Sequence, residues 1–288
     1  MKLIIGTANF LNNYGFTNHH IIKKEIIEIL GFASNNNVSG IDTSNSYDDF
    51  KKIFSSKKYN KFELSSKYSF KRNILKNKLF EKNFISFISK NLKQFNRGYF
   101  YNYFIHNFDD IDLNSYKKII KVLKLLKKRK KIKYIGISLY DPKSLKKKIN
   151  FDDIDIIQVP ISIFDRRFID KKIINFLIKK KIKIQARSIF LQGLIFKSPD
   201  DIINLKFVDK KVFKSFHLWS IENNISKIKS SLNFIKSLKF LDSVVVGVDN
   251  LHHLKEIINL FKFRKLFKVP KKIFSKKNSF LDIRKWKN

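Results

Sequence analysis

Short apolar runs alternate with longer amphipathic stretches along the whole chain. Eight runs read as strands: Lys2–Gly6, residues 38–42, 62–66, 99–106, 132–137, 155–159 and 182–186, and Ser243–Gly247. Most are apolar at every position, the pattern of parallel strands buried on both faces. Between them, apolar residues recur at helical spacing. Residues 20–35 place Ile22, Ile26, Ile29 and Leu30 on one face, and 79–95, 115–130, 170–181 and 218–240 also read as amphipathic helices. Asn250 is placed to cap a last helix from Leu251 to about Phe261. The basic run Lys127-Lys128-Arg129-Lys130-Lys131 ends the helix before the fifth strand, where cations favour the helix C-terminus. Eight strands alternating with helices, without an internal linker, predict one parallel α/β domain over residues 1–288. The count fits a closed (β/α)8 TIM barrel better than an open sheet. No Gly-x-Gly-x-x-Gly follows the first strand and no Walker loop occurs, so neither nucleotide motif has support. Residues from about 262 to 288 form a basic tail to which the pattern assigns no structure.

Composition narrows the picture. Hydrophobic residues make up 43% of the 288, enough to fill a core and exclude a disordered chain. The absence of cysteine removes disulfides, thiolate nucleophiles and zinc–thiolate sites. No apolar run approaches the roughly 18 residues of a membrane span, and the N-terminus does not read as a signal peptide. A cytoplasmic protein without membrane association is the expectation. The net charge of +37 and a pI near 10.1 are the footprint of a nucleic-acid binder. However, only eight of the 61 basic residues are arginine. Lysine, asparagine, isoleucine and phenylalanine are abundant together, as A- and T-rich codons would make them. Compositional drift is the favoured reading, with weak, salt-sensitive association with polyanions and no dedicated nucleic-acid surface.

In such a barrel, chemistry sits at the C-terminal ends of the strands. Those ends carry Gly6-Thr7-Ala8-Asn9, Asp42 with Tyr47 five residues on, Lys67, His106, Ser138, Gln158, Arg187-Ser188 and Gly247. Each has a plainer reading: Asp42 as a turn residue, Tyr47 as packing, Lys67 as one solvated lysine among many, His106 as a satisfied histidine. Together, an acid, a phenol, an amine and an imidazole converge on one face. A phenol with a pKa of about 10 is a poor acid near neutrality, and a nearby ammonium lowers it. A carboxylate holds the ammonium, and a histidine orients a carbonyl oxygen. That set suits protonation of a carbonyl oxygen while a cofactor delivers hydride to its carbon.

The sequence resembles the aldo/keto reductases over nearly its whole length. Ile5-Gly6-Thr7-Ala8-Asn9-Phe10 resembles the first-strand motif, Asp42-Thr43-Ser44-Asn45-Ser46-Tyr47 the Asp–Tyr motif, Leu64-Ser65-Ser66-Lys67 the lysine motif and Ile105-His106-Asn107 the histidine motif. Ile135-Gly136-Ile137-Ser138, Ile157-Gln158-Val159-Pro160, the segment from Arg187 to Leu194 and Val246-Gly247-Val248-Asp249-Asn250 resemble the later cofactor-contacting segments. The resemblance implies a TIM barrel that reduces an aldehyde or ketone with NADPH, NADH remaining open. It implies Tyr47 as general acid, Lys67 as its modulator, Asp42 as the lysine's partner and His106 as the carbonyl-orienting group. Gly6, Thr7, Ala8, Asp42, Ser138, Gln158, Arg187, Ser188, Gly247, Asp249, His253 and Glu256 would contact the cofactor; no metal is implied. Two departures stand out. Ser138 is followed by Leu139 where many members have Asn, and Arg187 stands where many have a tyrosine stacked on the nicotinamide. A guanidinium there can stack or bind an acidic group. Phe190, Phe196, Phe207, Phe216 and Trp219 read as pocket or core, and Arg166-Arg167 as a surface start to helix six. Two other classes remain beside the reductase: a catalytically weak cofactor-binding regulatory or scaffold protein on the same fold, and a polyanion binder.

Overall fold

The computed structural model describes residues 1–10, 15–16, 21–44, 48–147, 149–263 and 266–286. Eight strands, β1 (Lys2–Gly6), β2 (Gly40–Asp42), β3 (Glu63–Tyr68), β4 (Phe100–Ile105), β5 (Ile132–Ser138), β6 (Ile156–Pro160), β7 (Lys183–Arg187) and β8 (Ser243–Gly247), pair in parallel and in order. The register closes the sheet on itself: Gly6 lies beside Asp42 on one side and Gly247 on the other. Helices return the chain between strands, and the last two follow β8. They are α1 (Lys23–Asn35), α2 (Asp48–Phe54), α3 (Arg72–Lys76), α4 (Phe80–Gln94), α5 (Leu113–Lys128), α6 (Lys171–Lys179), α7 (Lys210–Glu222), α8 (Lys227–Ser237), α9 (Leu251–Lys262) and α10 (Asn278–Leu281). This is the (β/α)8 barrel that the alternation predicts. No helix among the described residues is long and apolar enough to cross a membrane.

Apolar strand residues such as Ile5, Ile41 and Ile135 pack against Ile29, Leu123 and their neighbours on the helices. The barrel interior is more polar. Ile4, Phe104, Ile156 and Val245 are buried there, with the Phe104 ring lying across Gly136. A methyl group at Gly136 would meet that ring at 2.3 Å, so the position accepts only glycine. Beside them, Asn102 donates to Ser65 Oγ (2.8 Å), Gln158 to Gln185 Oε1 (2.7 Å) and Gln185 to Ser243 Oγ (3.0 Å). These hydrogen bonds link the interior polar side chains to one another, although Asn102 Oδ1 has no partner among the described residues.

Three local expectations need correction. The stretch 218–240 is not one helix. It divides into α7 and α8 because Asn224 takes a left-handed φ of 50° and Ser226 caps α8 by accepting from the Lys229 amide. β3 runs past the expected end at Ser66 to Tyr68, so Lys67, expected at the strand end, lies within the strand. Arg166 and Arg167 are not a solvated surface pair. Arg166 donates to the carbonyls of Pro270, Lys271 and Ile273, and Arg167 pairs with buried Asp165 and reaches Leu281 O (3.2 Å). They fasten the tail, whose Ile273, Phe280 and Leu281 are buried against the barrel. Arg166→Ala should therefore lower unfolding free energy by about 2 kcal/mol and speed proteolysis beyond Phe263, because three charge-assisted contacts to the tail are lost. Denaturant unfolding within about 0.5 kcal/mol of wild type would contradict this anchor.

Candidate active site

The barrel's C-terminal mouth is built from strand ends, so backbone hydrogen bonding fixes each functional side chain near its base. Asp42 ends β2, Lys67 lies near the end of β3, and His106 follows β4, its amide bonded to Tyr68 O (2.9 Å). Lys67 Nζ donates to Asp42 Oδ2, and both residues are only 6% exposed. Gln158, reaching from β6, donates to Asp42 Oδ1 (3.1 Å), and its Oε1 accepts from Lys67 Nζ (3.4 Å). β3 and β6 are not neighbours, so this contact crosses the barrel interior. A buried ion pair is stable only with such additional partners, and it fixes the ammonium in direction as well as charge.

His106 Nδ1 lies 3.2 Å from Ser69 Oγ. Burial, with the nearby charges of Lys67 and Arg187, pushes its pKa down to about 3. The ring is therefore neutral at physiological pH. Because the folded value lies below the unfolded one, protonation favours the unfolded chain. The penalty starts as pH falls below about 6.5 and grows until about pH 3. The His106 ring resonance in an NMR titration should stay at its neutral position from pH 8 down to pH 5; a midpoint near 6.5 would show that the ring is solvated. Asn107 locks the next turn by accepting from the Phe70 amide (2.9 Å) and donating to Phe70 O (3.1 Å). Tyr47, with Asn45 and Ser46, lies outside the described residues, between buried Ser44 and the start of α2.

A cavity of about 960 Å³, open to solvent, occupies this mouth. Of the residues singled out from sequence, it brings together Gly6, Thr7, Ala8, Asp42, Lys67, His106, Gln158, Arg187, Ser188, Gly247, Asp249 and His253. Ser138 sits at the end of β5 beside Gln158, fully buried, its hydroxyl without a partner among the described residues. Glu256, on α9, does not line the cavity. Phe190 and Phe196 form an aromatic wall, with ring centres 5.2 Å apart and His253 against both. Phe207, Phe216 and Trp219 are outside the lining: Phe216 packs on Phe164, and Phe207 stacks on Trp286 of the tail. Sequence reasoning placed Asn9 at the first strand end without giving it a role, and missed Tyr140, Val245 and Ile283 as lining residues. Asn9 donates to Val248 O (2.6 Å) and Asp249 Oδ1 (2.9 Å), tying the first strand end to the last. Its position two residues past Thr7 was the available signal; Ile283, in the unpatterned tail, gave none.

These residues fit a nicotinamide dinucleotide. Gly6 and Gly247 are register partners that present bare backbone to the cavity, and nothing lies within 4 Å of where a Cβ at Gly247 would stand. The buried Ser138 Oγ and His253 Nε2 are unpartnered among the described residues, as expected of groups awaiting a polar ligand. The β7 exit is unusual: Ser188, Leu191 and Gln192 all take positive φ (57°, 47° and 53°). Such conformations persist where surrounding structure holds a functional loop.

Comparison with known proteins agrees with this geometry. A search of curated protein sequences finds no match. Among solved structures, the chain is similar to the aldo-keto reductase AKR11C1 of Bacillus halodurans in a holo form. Identity is 15%, coverage 92% of this chain and 88% of that one, and the TM-score 0.72. It is also similar to the thermostable aldo-keto reductase Tm1743, solved with the inhibitor epalrestat, with 16% identity, coverage of 94% and 92%, and a TM-score of 0.68. At these identities the likeness establishes the fold alone. The sequence model of the Aldo/keto reductase family matches residues 2–273. That span takes in every strand and every strand end described above, and the chain belongs to the aldo/keto reductase family.

Proposed function

We propose that this protein is a cytoplasmic oxidoreductase that reduces a small aldehyde or ketone with NADPH, NADH being the alternative cofactor. Family membership supports an oxidoreductase using a nicotinamide cofactor. The observation that carries the finer reading is the buried Asp42–Lys67–Gln158 network beside a neutral His106 in one open cavity. In this reading the backbone at Gly6, Thr7, Ala8 and Gly247 approaches the cofactor, and Ser138 and Gln158 hold its carboxamide. Ser188, Asp249 and His253, which line the same cavity, contact the remainder. The bound cofactor supplies hydride. The protein's own residues handle the oxygen. In this reading Ser69 donates to Nδ1, so that His106 keeps its proton on Nε2 and hydrogen-bonds the substrate carbonyl. Tyr47 gives its phenolic proton to that oxygen, and Lys67, held by Asp42, stabilises the tyrosinate left behind.

The test is consumption of NADPH by the purified protein with a panel of aldehydes and ketones. The reading expects consumption that depends on the carbonyl compound and saturates with it. Cofactor that binds but is not consumed, whichever carbonyl compound is added, would favour the scaffold reading instead.

A further inference from the structure

Among the described residues, the lysine and arginine side chains at the cavity mouth are paired with carboxylates except at one point. Lys67 is paired with Asp42. Arg284, in the tail, is paired with Asp282 (2.9 Å) and Asp109 (3.6 Å). Arg187 differs. It lines the cavity from the end of β7, and its partners among the described residues are neutral: Leu139 O (3.1 Å), Ser188 Oγ (3.2 Å) and the Tyr140 ring, whose centre lies 4.0 Å from the guanidinium carbon. Among the described residues no carboxylate pairs with it. Arg284 lies 4.1 Å from the same ring, so Tyr140 is clamped and holds the Arg187 plane in place. Two of the five guanidinium N–H groups are used by these oxygens, leaving donors for a ligand. A part-buried cation is costly to leave unpaired, whereas a preorganised planar fork suits a carboxylate. His106 shares the cavity, and its depressed pKa registers the nearness of Arg187.

Resting on the carbonyl-reduction reading, we propose that Arg187 docks a carboxylate of the substrate, which makes the substrate class an oxo acid: an aldehyde or ketone bearing a carboxylate near its carbonyl.

Two measurements test this separately from the reductase reading. The first is calorimetric titration with butyrate and with butyramide at moderate salt, with and without saturating NADPH. Butyrate should bind saturably and butyramide should not. Arg187→Met should weaken butyrate at least about tenfold, the scale of a lost charge-assisted hydrogen bond, while Arg187→Lys retains part of the affinity. Butyrate binding that is absent, or unchanged in Arg187→Met, overturns the proposal. So does a result in which Arg187→Met weakens NADPH alone, since the guanidinium would then serve the cofactor. The second is kcat/KM for an ω-oxo carboxylate against its methyl ester. Wild type should prefer the carboxylate by about 10- to 100-fold, and the preference should collapse toward unity in Arg187→Met. Equal rates in wild type overturn the proposal and leave the reductase intact. Arg187-dependent butyrate binding without reduction of any carbonyl upholds the anion site and removes the reductase reading.

Discussion

Replacing Tyr47 by Phe is expected to abolish carbonyl reduction while leaving cofactor binding intact. The change removes one oxygen, the proton donor in the proposed chemistry. General acid catalysis contributes about 10²- to 10⁴-fold, so kcat should fall by that factor. The other oxygen-directed groups cannot replace it. His106 is neutral and a weak acid, and the Lys67 ammonium is engaged by Asp42 and Gln158. Steady-state kinetics beside a cofactor titration separates the two effects. Turnover within a few-fold of wild type would remove Tyr47 from the role of acid.

The second large effect concerns Asp42. Asp42→Ala strips the carboxylate from a buried lysine and leaves an uncompensated charge beside Gln158. Removing one partner of a buried ion pair costs about 3–5 kcal/mol, so the variant should unfold at markedly lower denaturant concentration. Turnover should fall as well, since the ammonium loses its fixed position. Lys67→Met should destabilise similarly. The double variant Asp42→Ala/Lys67→Met should recover part of the stability, because the lone charge is gone, and none of the activity. Single variants within about 0.5 kcal/mol of wild type would show that the pair is solvated rather than buried.

The legible and illegible parts of the chain divide along physical lines. Parallel strands in a barrel are covered on both faces, so their apolar runs are continuous and stand out against lysine-rich surroundings. All eight strands fall within a few residues of the expected runs for that reason. The strand ends were legible too, because a site built on backbone ladders keeps its residues at fixed distances from those runs. Asp42, Lys67 and His106 converge as their positions imply. What pattern could not supply is packing between segments distant in sequence. The residues that anchor the tail, Ile273, Phe280 and Leu281, have no periodicity of their own. They are placed by Arg166 and Arg167, more than a hundred residues earlier. The break between α7 and α8 was hidden by apolar residues that keep helical spacing through 218–240, although Asn223-Asn224 and Ser226 marked it. The environment of Arg187 depends on Tyr140 and on the tail residue Arg284, so its identity was visible but its clamping was not.

In the proposed reading, the cavity at the barrel mouth is a nicotinamide cofactor site. Fluorescence titration with NADPH and then NADH, at moderate salt, tests this. Saturable binding of one cofactor per chain, with affinity that changes little as salt is raised, is the predicted result. Absence of binding to either cofactor, or binding that fades with salt as counterion release dictates for a charge of +37, would contradict it and leave general polyanion attraction as the explanation.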